Sequence, residues 1–244
     1  MRTVIHSFAS LAFLLAAPLA SVRGQVFDFS EQQRQQRPAY RYAGVAIHVA
    51  DPVGEFDRFV GTGFGIGGHF VWTFDRARVF GLRADLGFVN YGHESKRVTL
   101  SSTIGDRIRV DVNTDNEILL FGIGPQIMAP SGAIRPYANG GVGLAYFATR
   151  SSVGGSGDEF DFASTTNFDD ATFAWNAGAG VLIPVKKGNR PILIDIGARY
   201  QGNGEARYLR EGDIQDNPDG TISFSPIRSE TNLMTYHLGV SFGF

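Results

Sequence analysis

From residue 40 to the end, large apolar residues alternate with small or polar ones. A period of two is that of a β-strand with two unlike faces. The final segment, "TYHLGVSFGF", puts Tyr236, Leu238, Val240, Phe242 and Phe244 on one face and Thr235, His237, Gly239, Ser241 and Gly243 on the other. In 59–74, Val60, Phe64, Ile66, Phe70, Trp72 and Phe74 oppose Gly61, Gly63, Gly65, Gly67 and His69. In 79–91, Phe80, Leu82, Ala84, Leu86 and Phe88 oppose Gly81, Arg83, Asp85 and Gly87. Segments 117–128, 137–149, 173–183 and 191–200 repeat the pattern. Gln126, Asn139, Asn176, Asp195 and Arg199 lie on their small or polar faces. A weaker strand, 41–49, opposes Val45, Ile47 and Val49 to Gly44 and His48.

These segments predict eight strands whose connections alternate in length. Residues 75–78, 130–134 and 186–190 are tight turns; 94–114, 150–170 and 203–230 are long and polar, and 51–58 groups with the long set. Short links on one side and long on the other predict an all-β, antiparallel, up-and-down barrel with unequal ends. Two of the long links carry hairpin signals. The stretch 97–112 alternates about an Ile-Gly-Asp turn, and "NPDG" at 217–220 combines a proline-set φ with a glycine able to take positive φ.

Composition narrows the environment. Cysteine is absent, which excludes disulfides, thiol catalysis and cysteine-bound metals. A net charge of -2 gives no sign of a nucleic-acid partner. Lysine occurs only as Lys96, Lys186 and Lys187, too few to protect the outward faces of a soluble β protein. At the N-terminus, Arg2 precedes the apolar run "FASLAFLLAAPLA". That run is too short for a membrane helix and suits a signal-peptide core, with cleavage expected before Gln25. The expected organisation is a signal peptide at 1–24, a polar Gln- and Arg-rich leader at 25–39 and a barrel at 40–244.

Alternation does not by itself say which face is inside. A lipocalin-like soluble barrel would fill its lumen with the Phe/Trp/Ile face; a membrane barrel would turn that face to lipid. Several strands carry only glycine and amides opposite their apolar face, which is a poor water-facing surface and a good lining for a narrow lumen. Aromatics also gather towards the strand ends. Phe70, Trp72, Phe74, Phe242 and Phe244 gather at one end, and Tyr91, Tyr146, Phe173 and Trp175 at the other, as in interfacial girdles. With these features the segment from residue 40 onward resembles the eight-stranded outer-membrane β-barrels of the OmpA transmembrane-domain and OmpX type. The resemblance implies a monomer in the cell outer membrane, with short turns in the periplasm and long loops outside. Its implied partners are outer-membrane lipids, lipopolysaccharide and an unidentified surface ligand at the loops. It also implies that Tyr236, Leu238, Val240, Phe242 and Phe244 form a C-terminal signal read by the barrel assembly machinery.

The candidate chemistry lies in the lumen. Arg83 and Asp85 are on the third strand and Asp195 and Arg199 on the seventh, diametrically opposed in an eight-stranded barrel. Because a buried unpaired charge costs several kcal/mol, two ion pairs are expected, Arg83 with Asp195 and Asp85 with Arg199. They would form a plug or, alternatively, the gate of a narrow small-solute channel. His48, His69 and His237 face inward on neighbouring strands, with Gln126, Asn139 and Asn176 as further polar lining; hydrogen bonding, rather than metal binding, is their expected role. His93 and Ser95 in "YGHESK" are spaced like a pair in an outer-membrane lipid A deacylase, but no acidic partner is evident. "GDEFD" at 157–161, with Asp169 and Asp170, is read as a solvated loop rather than a calcium site. No catalytic residue, cofactor or metal is expected.

Overall fold

A computed structural model describes residues 41–99, 109–155, 161–188, 190–210, 212–217 and 222–244. The expected signal peptide and leader lie outside this set, as does the Ile-Gly-Asp turn. Eight strands form a closed barrel: β1 (Arg41–Pro52), β2 (Gly63–Thr73), β3 (Phe80–Thr99), β4 (Arg109–Met128), β5 (Arg135–Gly155), β6 (Asp161–Lys186), β7 (Ile192–Asn203) and β12 (Leu233–Gly243). Between β7 and β12 lie β8 (Glu205–Tyr208), β9 (Ile214–Asp216), β10 (Ile222–Phe224) and β11 (Ile227–Glu230). Neighbours pair antiparallel in chain order, and β12 closes the ring against β1, with Val45 opposite Val240. At the short-turn end the seam is pinned by Phe244: its N–H donates to Arg41 O (2.9 Å), and Arg41 N–H to Phe244 O (3.2 Å).

The alternation resolves with the apolar set outward. Val45 and Phe64 are 66% and 65% exposed, and Ile66, Leu86, Phe121, Leu144, Phe173 and Leu238 are exposed with them. The glycine-rich set faces the lumen because curvature crowds that side. A Cβ on Gly65 would strike the carbonyl oxygen of Phe88, and one on Gly143 that of Phe121, each on the adjacent strand. Other inward glycines lie under rings: Gly44 beneath His69, Gly67 beneath His48 and Gly197 beneath His237.

Two expectations about the long-loop side change. The stretch 150–170, expected as a loop, is mostly strand among its described residues, with β5 and β6 paired out to Gly154 and Asp161 and interrupted by irregularities at Thr149/Arg150 and Val153/Gly154. Its Ser/Thr-rich sequence contains no glycine–proline break before Gly154 and satisfies its backbone by extending the ladder. In the 203–230 link β8 pairs with β11 and β9 with β10, in keeping with the hairpin expected there, while Pro218, Asp219 and Gly220 of its turn lie outside the described residues. On β3 a bulge between Asn90 and Gly92 adds Tyr91 to the strand. Tyr91, expected in the outward girdle, instead packs edge-on to Phe56 (5.9 Å between ring centroids) and Tyr208 (6.4 Å).

That inward turn belongs to an apolar cluster at the long-loop mouth. Phe56, on a single 3-10 turn between β1 and β2, is fully buried against Tyr208 (5.0 Å) and Phe147 (6.1 Å). Val60, Val89, Ile118, Leu120 and Leu233 surround them. A smaller cluster of Tyr42, Val71, Met128, Tyr137, Leu182 and Leu193 occupies the short-turn end.

Candidate functional site

Between the two clusters lies the polar lumen. Asp85 receives Arg83 Nε and Arg199 Nη2 on one oxygen, each at 2.8 Å. Arg83 donates further to Gln126 Oε1 at 3.0 Å. The Asp85–Arg199 pair thus spans the lumen from β3 to β7, as the sequence suggests.

The expected Arg83–Asp195 pair does not form. Tyr137 of β5 stands between the two: its hydroxyl donates to Asp195 Oδ1 at 2.8 Å, and the Arg83 guanidinium lies 5.7 Å from its ring centroid. Arg83 turns back to Asp85, two residues along its own strand. Asp195, fully buried, instead collects histidines. His237 Nε2 is 3.4 Å from Oδ1 and 3.0 Å from the Tyr137 hydroxyl; His69 Nε2 is 3.8 Å from Oδ2 and 2.8 Å from Ser241 Oγ. His48 approaches His237 with ring centroids 6.0 Å apart. The three histidines therefore converge. Even so, no group of His, Cys, Asp or Glu among the described residues is arranged to hold a metal ion.

Gln126 and Asn176 are buried in the lining, and Asn139 faces the lumen beside Gly178. The cavity left among His48, His69, Arg83, Asp85, Asn176 and Arg199 measures about 30 Å³, space for roughly one water molecule. Sequence reasoning missed Tyr137, although it shares the parity of Asn139 and Gly141. It also missed Arg135, buried at the short-turn end, whose Nε donates to Ala129 O (2.7 Å) and whose guanidinium lies 5.5 Å from the Tyr42 ring centroid.

At the long-loop end, His93 does have an acidic partner: its Nδ1 is 2.7 Å from Asp115 Oδ1, which also accepts from Asn90 Nδ2 at 3.1 Å. Ser95 is not part of that contact. The neighbouring Glu94 pairs with Lys96 at 2.9 Å and accepts the Gly212 N–H at 3.3 Å. The hydrogen bond from Lys96, helped by that amide, holds the Glu94 carboxyl below its ordinary value. Asp170 accepts the Arg207 N–H at 2.8 Å, tying β6 to β8. Residues 157–160 lie outside the described set.

No family model and no curated protein matches the chain. Solved structures with a similar course include Neisserial surface protein A, at 15% identity over 86% of this chain and 100% of that one (TM-score 0.45). Ail, the attachment invasion locus protein of Yersinia pestis, matches at 12% over 85% and 100% (TM-score 0.44). A major outer membrane protein from Thermus thermophilus matches at 13% over 84% and 99% (TM-score 0.42). Likeness at these identities says nothing of ligand or activity.

Proposed function

We propose that this chain spans the outer membrane as a closed, non-conducting barrel and acts through the surface built at its long-loop end. The observation that carries this reading is the outward belt. Phe64, Ile66, Phe70 and Trp72 are all exposed along β2. The 11 residues of β2, at ~3.3 Å each and tilted by ~45°, rise about 25 Å, the height of an outer-membrane apolar band. Water would be a poor solvent for so continuous a belt, whereas lipid requires the closed backbone hydrogen bonding that the ring supplies. Partners on this reading are outer-membrane lipids and lipopolysaccharide around the belt, the assembly machinery at Tyr236 to Phe244, and a ligand at the outer end. The polar plug and the apolar mouth argue against the small-solute channel, since both narrow the lumen and the cavity beside the charged bridge is only about 30 Å³.

The test is refolding of the chain from Gln25 into detergent micelles, run unboiled and boiled on a denaturing gel, with a parallel refold in buffer alone. The expected result is a mobility shift on boiling and precipitation without detergent. A folded, monodisperse protein in plain buffer would overturn the membrane placement.

A further inference from the structure

A cleft of about 370 Å³ opens at the long-loop end, where the β1–β2 link, the β3 bulge and the β8–β9 link meet. This volume falls within the ~300–1,000 Å³ usual for small-molecule sites. Its lining includes Val60 and Tyr91, Asn116 and Gly92, and Phe59 with Arg210. The cation is held in place before any ligand arrives. Asp213 accepts both the Arg210 N–H (3.1 Å) and Arg210 Nε (3.3 Å), and the guanidinium lies 6.0 Å from the Phe59 ring centroid. Neither Nη1 nor Nη2 of Arg210 has a hydrogen-bond partner among the described residues. Those two nitrogens form the planar fork that takes a carboxylate in bidentate fashion. Asn116 is fixed through its Oδ1, which accepts from Thr149 Oγ1 at 2.7 Å. Its Nδ2 borders a space that only a glycine at 92 leaves open, since a Cβ there would come within 2.9 Å of it.

We propose that this cleft binds a small carboxylate carried on a hydroxylated ring, a sugar acid of the uronate class. The carboxylate would pair with Arg210 Nη1 and Nη2, one ring face would rest on the apolar lining of Val60 and Tyr91, and a hydroxyl would accept from Asn116 Nδ2. The proposal rests on the preceding reading only for placing the cleft at the cell surface. Pre-positioning of Arg210 by Asp213 and Phe59 lowers the ordering cost of binding.

The test is titration of D-glucuronate into the ¹⁵N-labelled barrel in micelles, following the amides of Gly61 and Gly92, with glucose as the uncharged control. Saturable shifts with glucuronate are expected. Binding should weaken by roughly ten-fold or more in Arg210→Gln, and should also weaken in Gly92→Ala, which keeps the charge but narrows the cleft. Methyl glucuronide separates two sources of the same chemistry. Binding as tight as the free acid points to the end of a glycan chain, and much weaker binding to the free sugar acid. Absence of saturable shifts, equal binding of glucose, or unchanged affinity in Arg210→Gln would overturn the proposal. Each variant is first shown to keep its shift on boiling, so a negative titration falls on the site alone. Failure of the membrane reading would show separately as folding in plain buffer, where the same titration can be run.

Discussion

Asp85 sits 2.8 Å from two guanidinium nitrogens, one on its own strand and one across the lumen. Its removal and the removal of one arginine are therefore unequal events. Asp85→Ala leaves Arg83 and Arg199 buried without their shared carboxylate and destabilises the barrel by about 3–5 kcal/mol. Arg199→Ala leaves Asp85 still bonded to Arg83 and costs about 1–3 kcal/mol. Urea unfolding of both variants in micelles should give that order, and equal losses would show that Arg83 alone does not satisfy Asp85. Glycine acts at the same scale by being small. At Gly143 a Cβ meets the carbonyl of Phe121, which is backbone and cannot swing aside. Gly143→Ala must therefore spread β4 from β5 and lower the unfolding midpoint, whereas Gly188→Ala, on a turn with open space around it, meets no atom and is limited to the strain of its positive φ, 118°.

At the scale of elements, the β2–β3 turn shows how a tight link is fixed. Asp75 accepts the N–H groups of Val79 (3.1 Å) and Phe80 (2.8 Å). Desolvation pushes its carboxyl up, but these backbone donors together outweigh it and hold the group below its ordinary value. A carboxyl depressed by folding contributes stability above its unfolded pKa of about 3.9 and loses it as pH falls through the folded value. Stability measured down through pH 4 should thus fall more steeply for the wild type than for Asp75→Asn, and parallel curves would remove Asp75 from the turn's account. How readable each element is follows from the same local physics. The barrel strands were readable because a period of two repeated over many residues leaves little doubt about the two faces. β8 to β11 are only three or four residues each, too short for periodicity, and their pairing depends on the two ends of the link being brought together by β7 and β12. Tyr91 shares the parity of Arg83, Asp85 and the buried Val89, so the alternation itself points it inward; its expected place in the girdle follows only from its being aromatic, and the bulge shifts the register of the residues after it. The Arg83–Asp195 expectation failed because counting residues from a turn fixes depth but not what stands between two strands, and Tyr137 stands there. Parity points the histidines inward, but their gathering on Asp195 depends on the side-chain reach of β2, β5, β7 and β12 together.

At the scale of the whole molecule, the proposed non-conducting barrel would have its lumen closed twice along one axis. Apolar rings fill the long-loop mouth, with Phe56, Phe147 and Tyr208 essentially buried. Below it, the Arg83–Asp85–Arg199 bridge crosses from wall to wall, leaving about 30 Å³. Two barriers in series have a distinct signature, because current passes only when both are open. Phe56→Ala with Tyr208→Ala removes two rings from the mouth, at about 3–5 kcal/mol for each large core truncation, yet leaves the charged bridge intact. Asp85→Ala with Arg199→Ala clears the bridge but leaves the mouth closed, and removing the acid with one base limits the uncompensated charge to Arg83. Planar-bilayer recordings should find the wild type and each double variant silent, and should find discrete openings only when all four substitutions are combined. Conductance in the mouth variant alone would mean that the bridge yields to water and ions, and the lumen charges would then be a gate. Silence in the fourfold variant, with its shift on boiling retained, would assign closure to the remaining lining, with Gln126, Tyr137 and the three histidines next in line.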